Sequence, residues 1–228
     1  MDNASPQNGR TVSPAPHGRR AAAADTVLNV VLLAIELVAI VGFFCVAGFT
    51  MFRMYTECSN ALAAVAAVLC LVSDLRRSDP ALAHRVKFCA CAMQLMTVFV
   101  VVFVLLPTIN AAGGNGFDQL FVSNGRYLVH FFGPLLTLVS YLGFETDPLP
   151  AARDSWLALV PTLIYAAVIY TLNYLRVLEG PYPFFRVWSM PLWQTAAWFV
   201  ALLILAWLLA RVTRVAARWI ATSRARRR

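Results

Sequence analysis

The sequence predicts an all-α, polytopic membrane protein, a bundle of six transmembrane helices with both termini in the cytoplasm (N-in/C-in). Three observations predict it. The 228 residues are 60% hydrophobic and only 13% charged, with a mean hydropathy of +0.68, too apolar to furnish the polar surface of a soluble domain. Six apolar runs, at about 27–50, 57–74, 88–109, 127–144, 156–175 and 192–211, each approach the roughly 20 residues that a helical span needs. Finally, with the N-terminus inside, the outer side keeps only Arg53, Arg126, Arg176 and Arg186 of the 19 Lys and Arg residues, the asymmetry that sets orientation.

Taken in order, residues 1–25 hold Ala, Pro, Ser, Asn and Arg with almost no large aliphatic side chain, so they form a tail expected to lack structure. The apolar run that follows is too long for the core of a cleaved signal peptide and reads as a retained first span. Residues 26–212 form the six-helix domain. Within it, residues 75–87 make a short basic loop, and residues 110–126, with Gly113, Gly114, Gly116 and Gly125, make a glycine-rich one. Pro134 and Pro161 are expected to kink their helices. Residues 213–228 form a basic cytoplasmic tail, a topology signal that also suits the anionic inner leaflet.

The net charge of +8 does not point to nucleic acid, because the basic residues lie between and after the spans, where lipid headgroups are nearer. Cys45, Cys58, Cys70, Cys89 and Cys91 lack metal-ligand spacing and read as small packing residues. No metal and no cofactor is expected. The expected partners are membrane lipids and a lipid-like substrate, and the sequence names no protein partner.

His130 is the only histidine in any span, and an ionisable side chain inside a membrane is costly unless it has a partner or a task. The second span opens with Tyr55-Thr56-Glu57-Cys58-Ser59-Asn60. Thr56 and Asn60 are one turn apart on one face, and His130, about one turn inside the fourth span, reaches a similar depth. A hydroxyl becomes a useful nucleophile when a neutral imidazole takes its proton during attack on a carbonyl. Ser59, Asn60, Asn173 and Tyr182 are the candidate donors to the resulting oxyanion. Each residue also has a plain reading. A threonine near a helix start is most often a cap, and His130 suits a buried hydrogen bond as well as a base. Glu36, midway along the first span, pairs with a hydroxyl or with His130, or belongs to a proton path.

The Tyr-Thr-x-x-Ser-Asn element, the third-span run Thr97 to Phe103, Tyr127-Leu128-Val129-His130-Phe131-Phe132-Gly133-Pro134, and Gly180-Pro181-Tyr182-Pro183-Phe184-Phe185 occur in an order that resembles the androgen-induced protein family. That family includes the androgen-dependent TFPI-regulating protein, and the likeness is greatest to its uncharacterised bacterial branch. The resemblance covers about residues 27–211. It implies a transmembrane threonine hydrolase acting on fatty acid esters of hydroxy fatty acids, with Thr56 and His130 as its catalytic residues, in a bacterial inner membrane. Two functions follow as expectations. One is a lipid-ester hydrolase using Thr56 and His130. The other is a non-catalytic protein that binds or transports a lipid or small amphiphile, with Glu36 and His130 as its polar elements. Whether Thr56 or Glu36 meets His130 discriminates between them.

Overall fold

The computed structural model describes residues 16–226, with side chains from Ala22 onward. Residues 1–15 of the expected N-terminal tail lie outside the described residues. From Pro16 the chain is already helical, in α1 (Pro16–Ala47). A 3-10 turn, Gly48–Arg53, joins it to α2 (Tyr55–Arg76), and α3 (Ala81–Ala111), α4 (Leu128–Phe144), α5 (Asp154–Tyr174) and α6 (Leu192–Ala225) follow. No strand occurs among the described residues. Five helices are long and apolar enough to cross a membrane, or six if α4 is taken with the segment Asp118–Gly125, from which it is bent by 114°.

Two boundaries differ from the hydropathy reading. Helix α3 starts at Ala81, after Pro80, so Lys87 lies in the helix instead of closing a basic loop. Helix α6 runs on to Ala225, so most of the expected cytoplasmic tail is a continuation of the last helix.

Helix α3 is central, packing on α2, α4, α5 and α6. Its buried face carries Ala83, Ala90 and Ala92 beside Cys89 and Cys91, small side chains that let neighbouring backbones approach. All five cysteines are free. The outward faces expose large apolar residues such as Val38, Val46, Phe49 and Ile204, as faces turned toward hydrocarbon do.

Prolines shape both long irregularities. A proline cannot donate the backbone bond to the carbonyl four residues earlier, and a π-turn is one way to absorb the defect. In α3 a π-turn over Val101–Leu105 precedes Pro107. In α4 a π-turn over Leu128–Phe132 precedes Gly133 and Pro134, with the Gly133 N–H donating to the Leu128 carbonyl. His130 stands on this second turn.

Candidate functional site

His130 is buried, and the turn that carries it packs on α1, α2 and α3. The preceding segment, Asp118–Gly125, is turned back against it through Asn124 (φ 57°) and Gly125 (φ 68°). Gly125 adopts that geometry without steric cost. The fold-back puts the Leu120 carbonyl 2.5 Å from His130 Nδ1 and the Phe121 ring edge-on to the imidazole. A carbonyl oxygen only accepts, so Nδ1 carries the proton and Nε2 of the neutral ring keeps its lone pair. This is the tautomer that a general base requires. The orienting group is a backbone atom of the glycine-rich loop.

Thr56 lies in the first turn of α2, 6% exposed, on the wall of a pocket between α2, α3, α5, α6 and the α5–α6 loop. The pocket is a slot of about 570 Å³, part of it open to the exterior. Its walls are mainly apolar, from Met96, Val100, Leu105, Phe184, Phe199 and Leu202, with a fringe of hydroxyls.

Most of those hydroxyls serve the fold. Tyr55 and Thr162 share a 2.7 Å hydrogen bond, and the Tyr165 hydroxyl donates to the Arg53 carbonyl at 2.6 Å. The Tyr182 oxygen accepts the Tyr55 N–H at 3.0 Å, meeting one of the donors that a helix start leaves unsatisfied. Thr56 lies beside that oxygen. Burial, with the Glu57 carboxyl nearby, raises the Tyr182 phenol above its ordinary range, so Tyr182 remains a protonated donor beside Thr56.

Comparison with protein-family models, with curated proteins and with solved structures finds no match. The chemistry must be read from the side chains themselves.

Among the described residues, no hydrogen bond joins Thr56 to His130, and none joins Glu36 to His130. Glu36, fully buried, accepts from Gln94 Nε2 at 2.7 Å, and Gln94 Nε2 also donates to Asn60 Oδ1 at 2.9 Å. The Glu36 carboxyl presses against the α4 backbone just after the π-turn. A Cβ added to Gly133 would stand 2.7 Å from Glu36 Oε1.

The oxyanion candidates separate. Asn60 Nδ2 is buried without a partner, and Asn60 is not among the residues that line the slot. Ser59 donates to the Thr56 carbonyl and shares a bond with Thr97. Asn173 is a clamp of the α5–α6 loop, donating to the Leu178 carbonyl and accepting the Val187 N–H, both at 2.9 Å. Gly180 allows the same loop to close, since any Cβ there would lie 2.5 Å from the Phe185 backbone.

The sequence reading missed a second polar centre at the other end of the bundle. Lys87, fully buried, donates to Glu145 Oε1 at 3.1 Å, Asn29 Oδ1 at 2.5 Å and Ser140 Oγ at 3.3 Å. Asn29 Nδ2 donates in turn to Glu145 and Asp25. A signal was present. Asn29 and Glu36 are two turns apart on α1, as Lys87 and Gln94 are on α3, so each pair marks one face of its helix. No group of three or more His, Cys, Asp or Glu arranged to hold a metal occurs among the described residues.

Proposed function

We propose that the chain is a six-span, N-in/C-in protein of a bacterial inner membrane that hydrolyses a lipid ester, with Thr56 as nucleophile and His130 as base. The observation that carries the reading is the pair of preset groups: a threonine hydroxyl on the wall of an apolar slot, and an imidazole on an adjoining element whose Nε2 is kept as an acceptor. The resemblance to the androgen-induced protein family names the same two residues.

In this mechanism the acyl chain lies in the slot and brings the ester carbonyl to Thr56. The Thr56 oxygen adds to the carbonyl carbon as its proton passes to His130 Nε2. The Tyr182 hydroxyl, on the wall of the same slot, then stabilises the oxyanion. Collapse breaks the ester C–O bond, and the imidazolium protonates the departing alkoxide. Water, deprotonated by His130, then frees the acid from Thr56. Approach of His130 to Thr56 is required on substrate binding, since catalytic hydrogen bonds often tighten only in the complex.

A second reading is favoured by one observation. Thr56 lies beside Tyr182 and not His130, in a slot with few free polar groups. That suits a protein that binds or carries a lipid or small amphiphile without cleaving it.

Labelling of membranes with a fluorophosphonate probe separates the two. The hydrolase reading expects labelling of the native chain that disappears in both Thr56→Ala and His130→Ala at matched expression. Folded native protein that takes no label supports the binding reading. Labelling that survives Thr56→Ala assigns the nucleophile elsewhere.

A further inference from the structure

The α5–α6 loop carries a second recess, which shares no lining residue with the slot. It is a broad cleft of about 840 Å³, open to the exterior and lined by Asn173, Arg176, Glu179, Arg186, Trp188 and Ser189. It lies where α5 ends, at a membrane face.

Arg176 is built into this cleft. It closes α5 in the left-handed region (φ 58°), its N–H donating to the Asn173 carbonyl. Its guanidinium carbon sits 4.5 Å from the centre of the Trp188 ring. That ring is stacked on Tyr174 and tied by its own N–H to the Asn173 carbonyl at 3.0 Å. A guanidinium lying on a fixed ring keeps its N–H donors at its edge, free for a planar oxyanion group. Among the described residues the ion pairs are Lys87–Glu145 and Arg186–Glu179, so Arg176 has no carboxylate partner.

With Arg186 matched by Glu179, the cleft holds one positive charge in excess. Arg176 is flanked in the chain by the exposed apolar residues Leu175 and Val177. One unmatched guanidinium beside apolar surface at a membrane face is the complement of a singly charged phosphate attached to acyl chains.

We propose that this cleft binds the phosphate of an anionic phospholipid headgroup, with Arg176 donating to its oxygens, Ser189 and Arg186 on the rim, and the acyl chains against Leu175 and Val177. The site is separate from Thr56 and does not depend on hydrolysis.

Native mass spectrometry of the full chain in neutral detergent tests it. Phosphatidylglycerol, phosphatidylcholine or inorganic phosphate is supplied, and the bound fraction is read. Phosphatidylglycerol should be retained in preference to phosphatidylcholine, and inorganic phosphate should neither bind nor displace it. Arg176→Gln should lower retention about tenfold, the loss of one charge-assisted contact. Arg153→Gln, exposed at the opposite end of α5, should leave retention unchanged. Unchanged retention in folded Arg176→Gln, equal loss in Arg153→Gln, or equal retention of phosphatidylcholine overturns the proposal. Displacement by inorganic phosphate assigns the cleft to a free anion instead. If Arg176→Gln does not fold, Trp188→Leu serves, and retention at the native level there overturns the proposal equally.

Discussion

Lys87 and Glu36 are both fully buried ionisable residues in one helical bundle, yet they are kept by opposite means. Lys87 meets a carboxylate, an amide oxygen and a hydroxyl, and joins α1, α3 and the end of α4. Glu36 meets only the amide of Gln94, and its second oxygen has no partner. A buried charge that loses its counter-charge is very expensive, whereas a carboxyl among amides can be replaced by another neutral polar group. The Lys87 end of the bundle is thus a fastening, and the Glu36 layer is the adjustable part, next to Asn60 and the turn that carries His130.

Lys87→Met strands Glu145 and should have the largest effect, a cost of about 3–5 kcal/mol of stability, read as a lowered unfolding midpoint in detergent. Adding Glu145→Gln should return most of the loss. Gly133→Ala comes next. Its new methyl meets Glu36 Oε1 and, at 3.2 Å, the Leu128 carbonyl, for a cost of about 1–3 kcal/mol. Because the two side chains share one space, Glu36→Ala in the same chain should recover part of it, a non-additivity that a double-mutant cycle measures. Tyr182→Phe removes the acceptor of the Tyr55 N–H and should cost about 1 kcal/mol. Smallest is Glu36→Gln, expected to cost less than about 1 kcal/mol, since an amide oxygen can still accept from Gln94. A Glu36→Gln loss equal to that of Lys87→Met would abolish the distinction.

The long apolar helices were legible because apolar runs of that length have few alternatives. Lys87 was not, because hydropathy treats a lysine as the edge of a span. What neutralises it is Glu145, brought beside it only by the packing of α3 on α4. Thr56 and His130 could be chosen from residue type and depth, and Asn60 from its spacing to Thr56. Their relation in space could not. The partner of His130 is a backbone carbonyl at Leu120, an atom that every residue possesses, so no side-chain identity at that position announces it. Gln94 is not legible either, because an amide on a mostly apolar run carries no motif. Its meaning lies in Glu36 and Asn60 on two other helices.

Two of the π-turns stand in the same relation to a proline, Val101–Leu105 before Pro107 and Leu128–Phe132 before Pro134. Each accommodates one residue more than an α-helix would use for the same advance. Removing one residue from Leu128–Phe132 would therefore let α4 close into a regular α-helix, leaving Thr137 and Ser140 on the faces they now occupy. What would be lost is the widened turn itself, and with it the place of His130 beside the Leu120 carbonyl. In this part of the chain the count of residues sets the position of one side chain and not the phase of the helix.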